Sequence, residues 1–388
     1  MSILRALSPV GRGVLVATLA VSVLSVAMEW LLHVEGTPVF LVSALGILGL
    51  AYVVGAATER LGALAGPQVG GILNATFGNV AELIIAFFAL VAGELEVVKA
   101  SLTGSIVGNL LLVLGFSLFL GGLRNGQQRF SPKVAGLDAT LLVLAVIGLF
   151  VPAVFALSTG GSAGAEPRTL ENVSVALVLL VLYALNLVYR LRHPEEVLGG
   201  GDPAGHAGPA WSARVAVLVL LAAAALLAVL SEQLVGAIDP FIASFDLTPF
   251  FVGVILIPTI GNLAEHLVAV QLAIRDRVDF AMAVAIGSSL QVALFVAPVL
   301  VLLGLVVGQP MDLVFTPLEI AAVAAAAGIT ALIAFDGESN WLEGALLLGV
   351  YAILAVSFFY LEGCRSARRP RRLSRGPAPG EPPPSGDR

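Results

Sequence analysis

Two short stretches decide the fold: Gly78-Asn79-Val80-Ala81-Glu82-Leu83, and Gly261-Asn262-Leu263-Ala264-Glu265-His266, which stands 183 residues later. The same offset holds for flanking residues, pairing Gly70 with Gly253, Thr76 with Thr259, and Gly104-Ser105 with Gly287-Ser288. One six-residue match could arise by chance, but a register kept from residue 70 to residue 105 indicates an internal repeat.

The composition around these motifs is that of a membrane protein. Of 388 residues, 58% are hydrophobic and 12% charged, and the mean hydropathy is +1.00, whereas soluble chains carry about 25% charged residues. A soluble fold could not hide so many apolar side chains, because most of its surface is wetted. The net charge of −6 argues against a nucleic-acid partner, and the single cysteine, Cys364, excludes an internal disulfide and a thiolate metal cluster.

Apolar runs of about 20 residues, the length that crosses a bilayer as a helix, predict an all-α polytopic membrane protein with about 11 transmembrane helices. Their approximate ranges are 13–33, 38–58, 69–92, 97–121, 134–157, 169–191, 213–235, 248–274, 280–307, 315–335 and 341–362. The two motifs fall in the third and eighth spans, and an odd separation inverts one copy relative to the other. We therefore predict one extra N-terminal helix plus two inverted five-helix repeats, an architecture of many secondary transporters.

The predicted organisation has five parts. Residues 1–37 hold the extra helix, 38–191 the first repeat, 192–212 a flexible cytoplasmic linker, 213–362 the second repeat and 363–388 a disordered Arg/Pro-rich tail. With the N-terminus in the cytoplasm, eleven Lys and Arg residues before the tail fall on the inner side and two, Lys99 and Arg168, on the outer side. We expect a multi-pass protein of a bacterial inner membrane.

Glu82 and Glu265 lie at equivalent positions well inside apolar spans. An ionised carboxylate near the middle of the bilayer costs several kcal/mol unless it is paired or hydrated, and no Lys or Arg occupies the neighbouring turns. The simple alternative is a protonated Glu that donates a hydrogen bond between helices. The occurrence of both carboxylates at symmetry-related positions, inside the same polar motif, favours a functional role.

Neutral oxygen donors accompany both carboxylates, and this chemistry suits a hard cation. Because of the Gly-Asn pairs and Pro258, we expect both helices to unwind locally and turn backbone carbonyls toward a cavity. Ca²⁺ takes six to eight oxygen ligands, whereas softer metals need Cys or several His. Hydrogen bonding between helices is the alternative for each neutral residue. The predicted cation-binding set is Glu82, Glu265, Asn79, Asn262, Gly78, Gly261, Thr76, Thr259, Ser105, Asn109, Ser288 and Gln291.

Four further polar residues have other expected roles. His266 points about 100° away from Glu265 on a helix and shares a face with Asn262, so a structural hydrogen bond and a proton-relay role are both open. Glu59 is either an interfacial charge or a gating residue. Asp239 and Asp246 are expected in a solvated outer loop.

The motifs resemble those of a known family. Gly78-Asn79-x-Ala81-Glu82 and Gly261-Asn262-x-Ala264-Glu265-His266 are similar to the paired repeat motifs of calcium/proton antiporters in the calcium/cation antiporter superfamily. Further matches, within roughly residues 50–362, are Leu73-Asn74-Ala75-Thr76-Phe77, Asn109-Leu110-Leu111 and Ser339-Asn340-Trp341-Leu342-Glu343-Gly344. The resemblance implies an eleven-helix fold, exchange of cytoplasmic Ca²⁺ for H⁺, and Glu82 and Glu265 as the shared ion-binding carboxylates.

Charge repulsion gives a reason for obligatory exchange. Two ionised Glu side chains in a low-dielectric cavity repel each other, and one Ca²⁺ or two protons cancel their charge. If the empty, doubly charged site cannot cross the membrane, the two ions are coupled at two protons per calcium.

We expect a secondary transporter rather than an enzyme, because the chain has no Ser/His/Asp set, His-Glu-x-x-His motif or phosphate-binding Gly loop. No cofactor is expected, since Ca²⁺ and H⁺ are transported. Sodium- or potassium-coupled calcium exchange remains an alternative from these residues, as does a passive cation channel with the Glu pair as its filter.

Overall fold

The computed structural model describes residues 9–66, 70, 73, 76–158, 165–193 and 211–360. The predicted tail and most of the predicted linker lie outside these residues. The helices are α1 Pro9–Trp30, α2 Thr37–Ala65, α3 Val80–Val91, α4 Leu95–Asn125, α5 Pro132–Ser158, α6 Ala165–Arg192, α7 Ala213–Gly236, α8 Ile238–Phe245, α9 Pro249–Ile274, α10 Val278–Val306, α11 Pro317–Asp336 and α12 Trp341–Tyr360.

The helices confirm the predicted spans. Ten helices in the described part of the chain are long and apolar enough to cross a bilayer, and the shorter apolar helix α3 occupies the predicted third span. The eight-residue α8 was not predicted as a helix. It carries Asp239, and Asp246 follows it in a left-handed conformation (φ 51°). Both aspartates are exposed, as expected of an outer loop.

Local signals set the helix ends near the site. Thr248 caps α9 by accepting a hydrogen bond from the Phe251 N–H (3.0 Å), and Pro249 takes the first turn, where no N–H partner is needed. A capping box begins α11: the Thr316 hydroxyl accepts from the Glu319 N–H, and the Glu319 carboxylate accepts from the Thr316 N–H (2.8 Å). These caps fix where α9 and α11 enter the bundle.

One end of the bundle, which we call the inner end, carries Arg124, Arg129, Arg275 and Arg277. Here the α4–α5 loop meets the α9–α10 loop, since Gln128 donates to the Ala273 carbonyl (2.9 Å). Strand β1, Gln128–Arg129, also pairs antiparallel with β2, Glu338–Ser339, before α12. This two-residue ladder is an exception to the all-α prediction, because so short a strand has no alternating pattern to detect.

The two motif copies run in opposite directions, as predicted. Helix α3 leads directly into the beginning of α4 through Glu94, whereas the end of α9 contacts the end of α4, where Asn125 donates to the Ala273 carbonyl (3.1 Å). The C-terminal ends of α3 and α9 therefore lie at opposite ends of the bundle.

The repeat also shows in the irregularities of its long helices. Helix α4 contains a π-helical segment at Gly108–Val113, and α10 contains one at Val292–Val296, nearly the same distance from each helix start. A third π segment, Val252–Leu256, lies in α9. Such segments widen one turn of a helix and occur frequently at functional sites.

The extra helix α1 is joined to the repeats by polar contacts. The Ser25 hydroxyl donates to the Gln233 side-chain oxygen on α7 (2.8 Å) and lies 2.8 Å from the Ser43 hydroxyl on α2. All three side chains are buried. Within a bilayer such bonds stabilise helix association, because lipid offers no competing partner.

Candidate functional site

Glu82 lies at a helix start created by its own motif. The chain turns at Gly78 and Asn79, α3 begins at Val80, and Glu82 sits in the first turn, where the positive end of the helix dipole favours a carboxylate. The residue is 8% exposed, and both carboxylate oxygens are buried without a hydrogen-bond partner. The local unwinding predicted for this motif is confirmed.

Glu265 lies on a helix that does not unwind at its motif, so that part of the prediction was wrong. Helix α9 stays helical from Ile257 through Gly261 and Glu265 to its end. The irregularity lies upstream, in the π segment at Val252–Leu256, and Pro258 follows it in the next helical turn. The wider turn accommodates a residue that lacks an N–H donor, and the helix continues beyond it.

The glycine of the second motif makes room for the carboxylate of the first. A Cβ atom on Gly261 would stand 3.1 Å from Glu82 Cγ and 3.3 Å from Glu82 Cδ. Helix α9 and the first turn of α3 therefore approach closely because residue 261 has no side chain. The two carboxyl groups, on Glu82 and Glu265, are close enough to repel each other electrostatically.

Four amide and hydroxyl side chains form a buried chain of hydrogen bonds from α3 to α10 and α4. The Asn79 amide donates to the Gln291 side-chain oxygen (2.5 Å), and the Ser288 hydroxyl donates to Asn79 Oδ1 (2.8 Å). The Asn109 amide in turn donates to Ser288 Oγ (3.0 Å). This network crosses between the repeats, since Asn79 and Asn109 belong to the first and the other two residues to the second.

Two further bonds connect α9 to α4. His266 Nε2 lies 3.2 Å from Asn109 Oδ1, and the Asn262 amide donates to Ser105 Oγ (3.4 Å). Asn262, Ser105 and His266 line one narrow crevice together with Thr259 and Tyr351. The predicted shared face of His266 and Asn262 is therefore present in the fold.

Ser288 has one hydrogen and two neighbouring groups that can accept it. Its hydroxyl donates to Asn79 Oδ1 (2.8 Å), and the Glu265 carboxyl group lies close to it on α9. A hydroxyl group donates only once. Ser288 can therefore donate to Asn79 if Glu265 carries a proton and donates to Ser288 itself, or it can donate to an ionised Glu265.

The direction of these bonds leaves oxygen atoms for a cation. The amide N–H groups of Asn79, Asn109 and Asn262 point to protein acceptors, whereas Asn262 Oδ1 is buried without a donor, like both oxygens of Glu82. Unsatisfied buried acceptors are costly, and a cation would satisfy them. Among the described residues no three His, Cys, Asp or Glu side chains cluster. The oxygens gathered here belong to two carboxyl groups and to neutral side chains.

The remaining predicted residues lie in different surroundings. Gly78 forms the turn before α3, Thr76 is exposed in the segment that precedes it, and the Thr259 hydroxyl donates to the Ile255 carbonyl of its own helix (2.6 Å). Glu59 is exposed near the inner end of α2, unlike the buried network. Asn74 and Ala75 of the longer motif lie outside the described residues.

Gly108 and Tyr351, which line the crevice, were not predicted. Gly108 is adjacent to Asn109 and stands at the repeat position of Gln291, so the repeat register offered a signal for it. Tyr351 lies on α12 and belongs to no repeated motif, so no sequence signal placed it there.

Comparison with known proteins assigns a family to this architecture. The family described as Sodium/calcium exchanger protein matches residues 36–192 and 215–360. A Ca(2+)/H(+) antiporter of Synechocystis is 46% identical over 355 residues, which cover 87% of this chain and 94% of that protein. The Ca(2+)/H(+) antiporter ChaA of Bacillus subtilis is 41% identical over 335 residues, covering 85% of this chain and 94% of that protein.

Solved structures share the fold. The structure of native YfkE is 37% identical, with a TM-score of 0.77, and the match covers 89% of this chain and 99% of that one. The H+/Ca2+ exchanger CAX superposes with a TM-score of 0.69 over 91% of this chain and 94% of its own at 16% identity, so it supports the fold alone.

Proposed function

Because the chain belongs to the Sodium/calcium exchanger protein family, we propose that it is a secondary transporter that exchanges cytoplasmic Ca²⁺ for H⁺ by alternating access. Relatives named as Ca(2+)/H(+) antiporters at 41–46% identity support Ca²⁺ and H⁺ as the transported ions. The protein is a multi-pass membrane protein, and the bacterial relatives support an inner-membrane location. Neither an enzymatic activity nor a cofactor is part of this proposal.

The observation that carries the proposal is the group of buried acceptor oxygens between the repeats. Glu82 Oε1, Glu82 Oε2 and Asn262 Oδ1 have no donor, and the Glu265 carboxyl group repels Glu82 across the same space. Such a site is stabilised either by a divalent cation, which coordinates the oxygens, or by protons, which cancel the charge. Both ions bind the same atoms, so they compete.

Competition at one site produces exchange if the empty site cannot cross the membrane. With both Glu side chains ionised, the site carries two negative charges through a low-dielectric bundle, which is unfavourable. One Ca²⁺ or two protons remove that net charge. Only the loaded forms then convert between inward and outward states, and we expect two protons for each Ca²⁺.

Ser288 links protonation to calcium binding within this scheme. When Glu265 carries a proton, it donates to Ser288 Oγ, and the Ser288 hydrogen goes to Asn79 Oδ1. When Glu265 is ionised, the Ser288 hydrogen turns to Glu265 and releases Asn79 Oδ1 as a neutral ligand. Loss of a proton from Glu265 therefore prepares two ligands, the Glu265 carboxylate and the side-chain oxygen Asn79 Oδ1.

The test is Ca²⁺ uptake into proteoliposomes driven by a pH gradient, with proton flux recorded in parallel. We expect Glu82→Gln and Glu265→Gln to abolish both the Ca²⁺ flux and the proton flux, because each replaces an ionisable carboxyl group with an amide that does not ionise. Glu319→Gln is the matched control: Glu319 is also buried, but its oxygens accept from Thr103 and the Thr316 N–H, and Gln retains the capping box.

Three results would overturn the proposal. Continued calcium-driven proton movement in Glu82→Gln or Glu265→Gln would exclude the shared carboxylates. Uptake of Ca²⁺ driven by a sodium or potassium gradient with pH clamped would replace the proton as the coupling ion. Single-channel currents through the purified protein would indicate a passive channel.

A further inference from the structure

A second cavity lies at the inner end of the bundle, outside the ion site. It has a volume of about 350 Å³ and opens between the first turns of α5 and the last turns of α6 and α11. Its lining includes Lys133, Asp138, Arg190, Leu137 and Phe335. The volume is many times the roughly 30 Å³ of one water molecule, so a phosphate group and its ester substituents fit.

The charged groups of this cavity are arranged for an anion. Asp138 is 3% exposed and forms an ion pair with the Arg190 guanidinium, and Arg190 Nε donates to the Asn186 side-chain oxygen (3.1 Å). These contacts use two of the five N–H donors of the guanidinium and hold it in one orientation. The lining holds two basic side chains, Lys133 and Arg190, against one acidic side chain, Asp138.

The same cavity also has an exposed apolar part. Leu137 and Phe335 are 36% and 62% exposed, and they lie on α5 and α11, two helices long and apolar enough to cross a bilayer. The Phe335 ring packs closely against Gly136. A Cβ atom on residue 136 would lie 3.1 Å from the nearest ring atom. A ligand with an anionic head and an apolar tail matches both halves of the lining.

We propose that this cavity binds the headgroup of an anionic phospholipid of the inner leaflet. The phosphate contacts Arg190 and Lys133, and an acyl chain lies along Leu137 and Phe335. Basic pockets between transmembrane helices at the cytoplasmic side have this recognition chemistry. Because α5 and α6 belong to the first repeat and α11 to the second, the lipid bridges the two repeats at their inner end.

The test is native mass spectrometry of the delipidated full chain titrated with dioleoylphosphatidylglycerol or dioleoylphosphatidylcholine. We expect the anionic lipid to bind more tightly, and Lys133→Gln to weaken its binding about fivefold, the change expected of one basic side chain near anionic lipid. Arg129→Gln is the matched control, since Arg129 lies at the same end with an 82% exposed side chain outside the cavity.

A second variant tests the cavity without changing its charge. Leu137→Trp fills the space, so we expect it to weaken phosphatidylglycerol binding while Lys133 and Arg190 remain. Free glycerol 3-phosphate is not expected to displace the lipid; displacement would indicate a soluble phosphate ligand. Equal binding of both lipids, equal losses in Lys133→Gln and Arg129→Gln, or unchanged binding in Leu137→Trp would each overturn the proposal.

Discussion

Replacement of Gly261 by Ala tests the site through one added methyl group. The new Cβ would stand 3.1 Å from Glu82 Cγ, 3.3 Å from Cδ and 3.4 Å from Oε1, whereas carbon atoms in contact prefer about 3.5–4.0 Å. The Glu82 side chain must therefore move by a few tenths of an ångström. Ca²⁺–oxygen distances fall between about 2.3 and 2.6 Å, so this movement is as large as the whole range allowed to one ligand.

We expect the Ca²⁺ concentration for half-maximal exchange to rise about tenfold, which corresponds to about 1.4 kcal/mol of weakened coordination. The assay is the initial rate of Ca²⁺ uptake into proteoliposomes at a fixed pH gradient. Gly328→Ala is the control, because no atom lies within 4 Å of the corresponding Cβ on α11.

A double variant tests the contact between Glu82 and residue 261 directly. Glu82→Asp shortens the side chain by one methylene group, which withdraws the carboxyl group from position 261. If the contact acts as described, the effects of Gly261→Ala and Glu82→Asp are not additive, and the double variant binds Ca²⁺ better than their sum predicts. A Gly261→Ala protein with unchanged Ca²⁺ dependence, or strictly additive effects, would refute the placement of Glu82 against residue 261.

Three other predictions each concern the replacement of one residue. Ser288→Ala should flatten the pH dependence of half-maximal Ca²⁺ concentration, because the link between Glu265 and Asn79 is lost; an unchanged pH profile contradicts it. Gln291→Leu leaves the Asn79 amide buried without an acceptor, at about 1–3 kcal/mol, so the melting temperature in detergent should fall. At the outer end, partial burial and then the charges of Asp239 and Glu96 raise the pKa of Glu94. Because a raised carboxyl pKa destabilises the folded state as pH rises, Glu94→Gln should raise the melting temperature near pH 7 and leave it unchanged near pH 4.

The spans could be predicted from the sequence because the bilayer imposes their length. A helix that crosses about 30 Å of hydrocarbon needs about 20 apolar residues, so the predicted range 213–235 corresponds to α7 at Ala213–Gly236. The same constraint does not define the π segments. Their wider turns depend on how α4, α9 and α10 pack together, and no residue pattern in Val292–Val296 differs from an ordinary apolar helix.

The sequence predicts which residue types form the site, but it does not predict which side chains are hydrogen-bonded or ion-paired to each other. Asn79, Ser288 and Asn109 were expected as oxygen donors from polarity inside apolar spans, and they lie in one network. The Asn79 amide donates to Gln291 and the Asn109 amide to Ser288, and these directions depend on side-chain rotation in the packed bundle. The ion pair between Asp138 and Arg190 joins residues 52 positions apart on different helices, so no local spacing indicates it.

The matching π segments of α4 and α10 also bear on the history of the chain. Each segment lies at nearly the same distance from the start of its helix, in halves that run in opposite directions through the membrane. An irregularity shared at one place implies that it was present before the gene duplication that joined the halves.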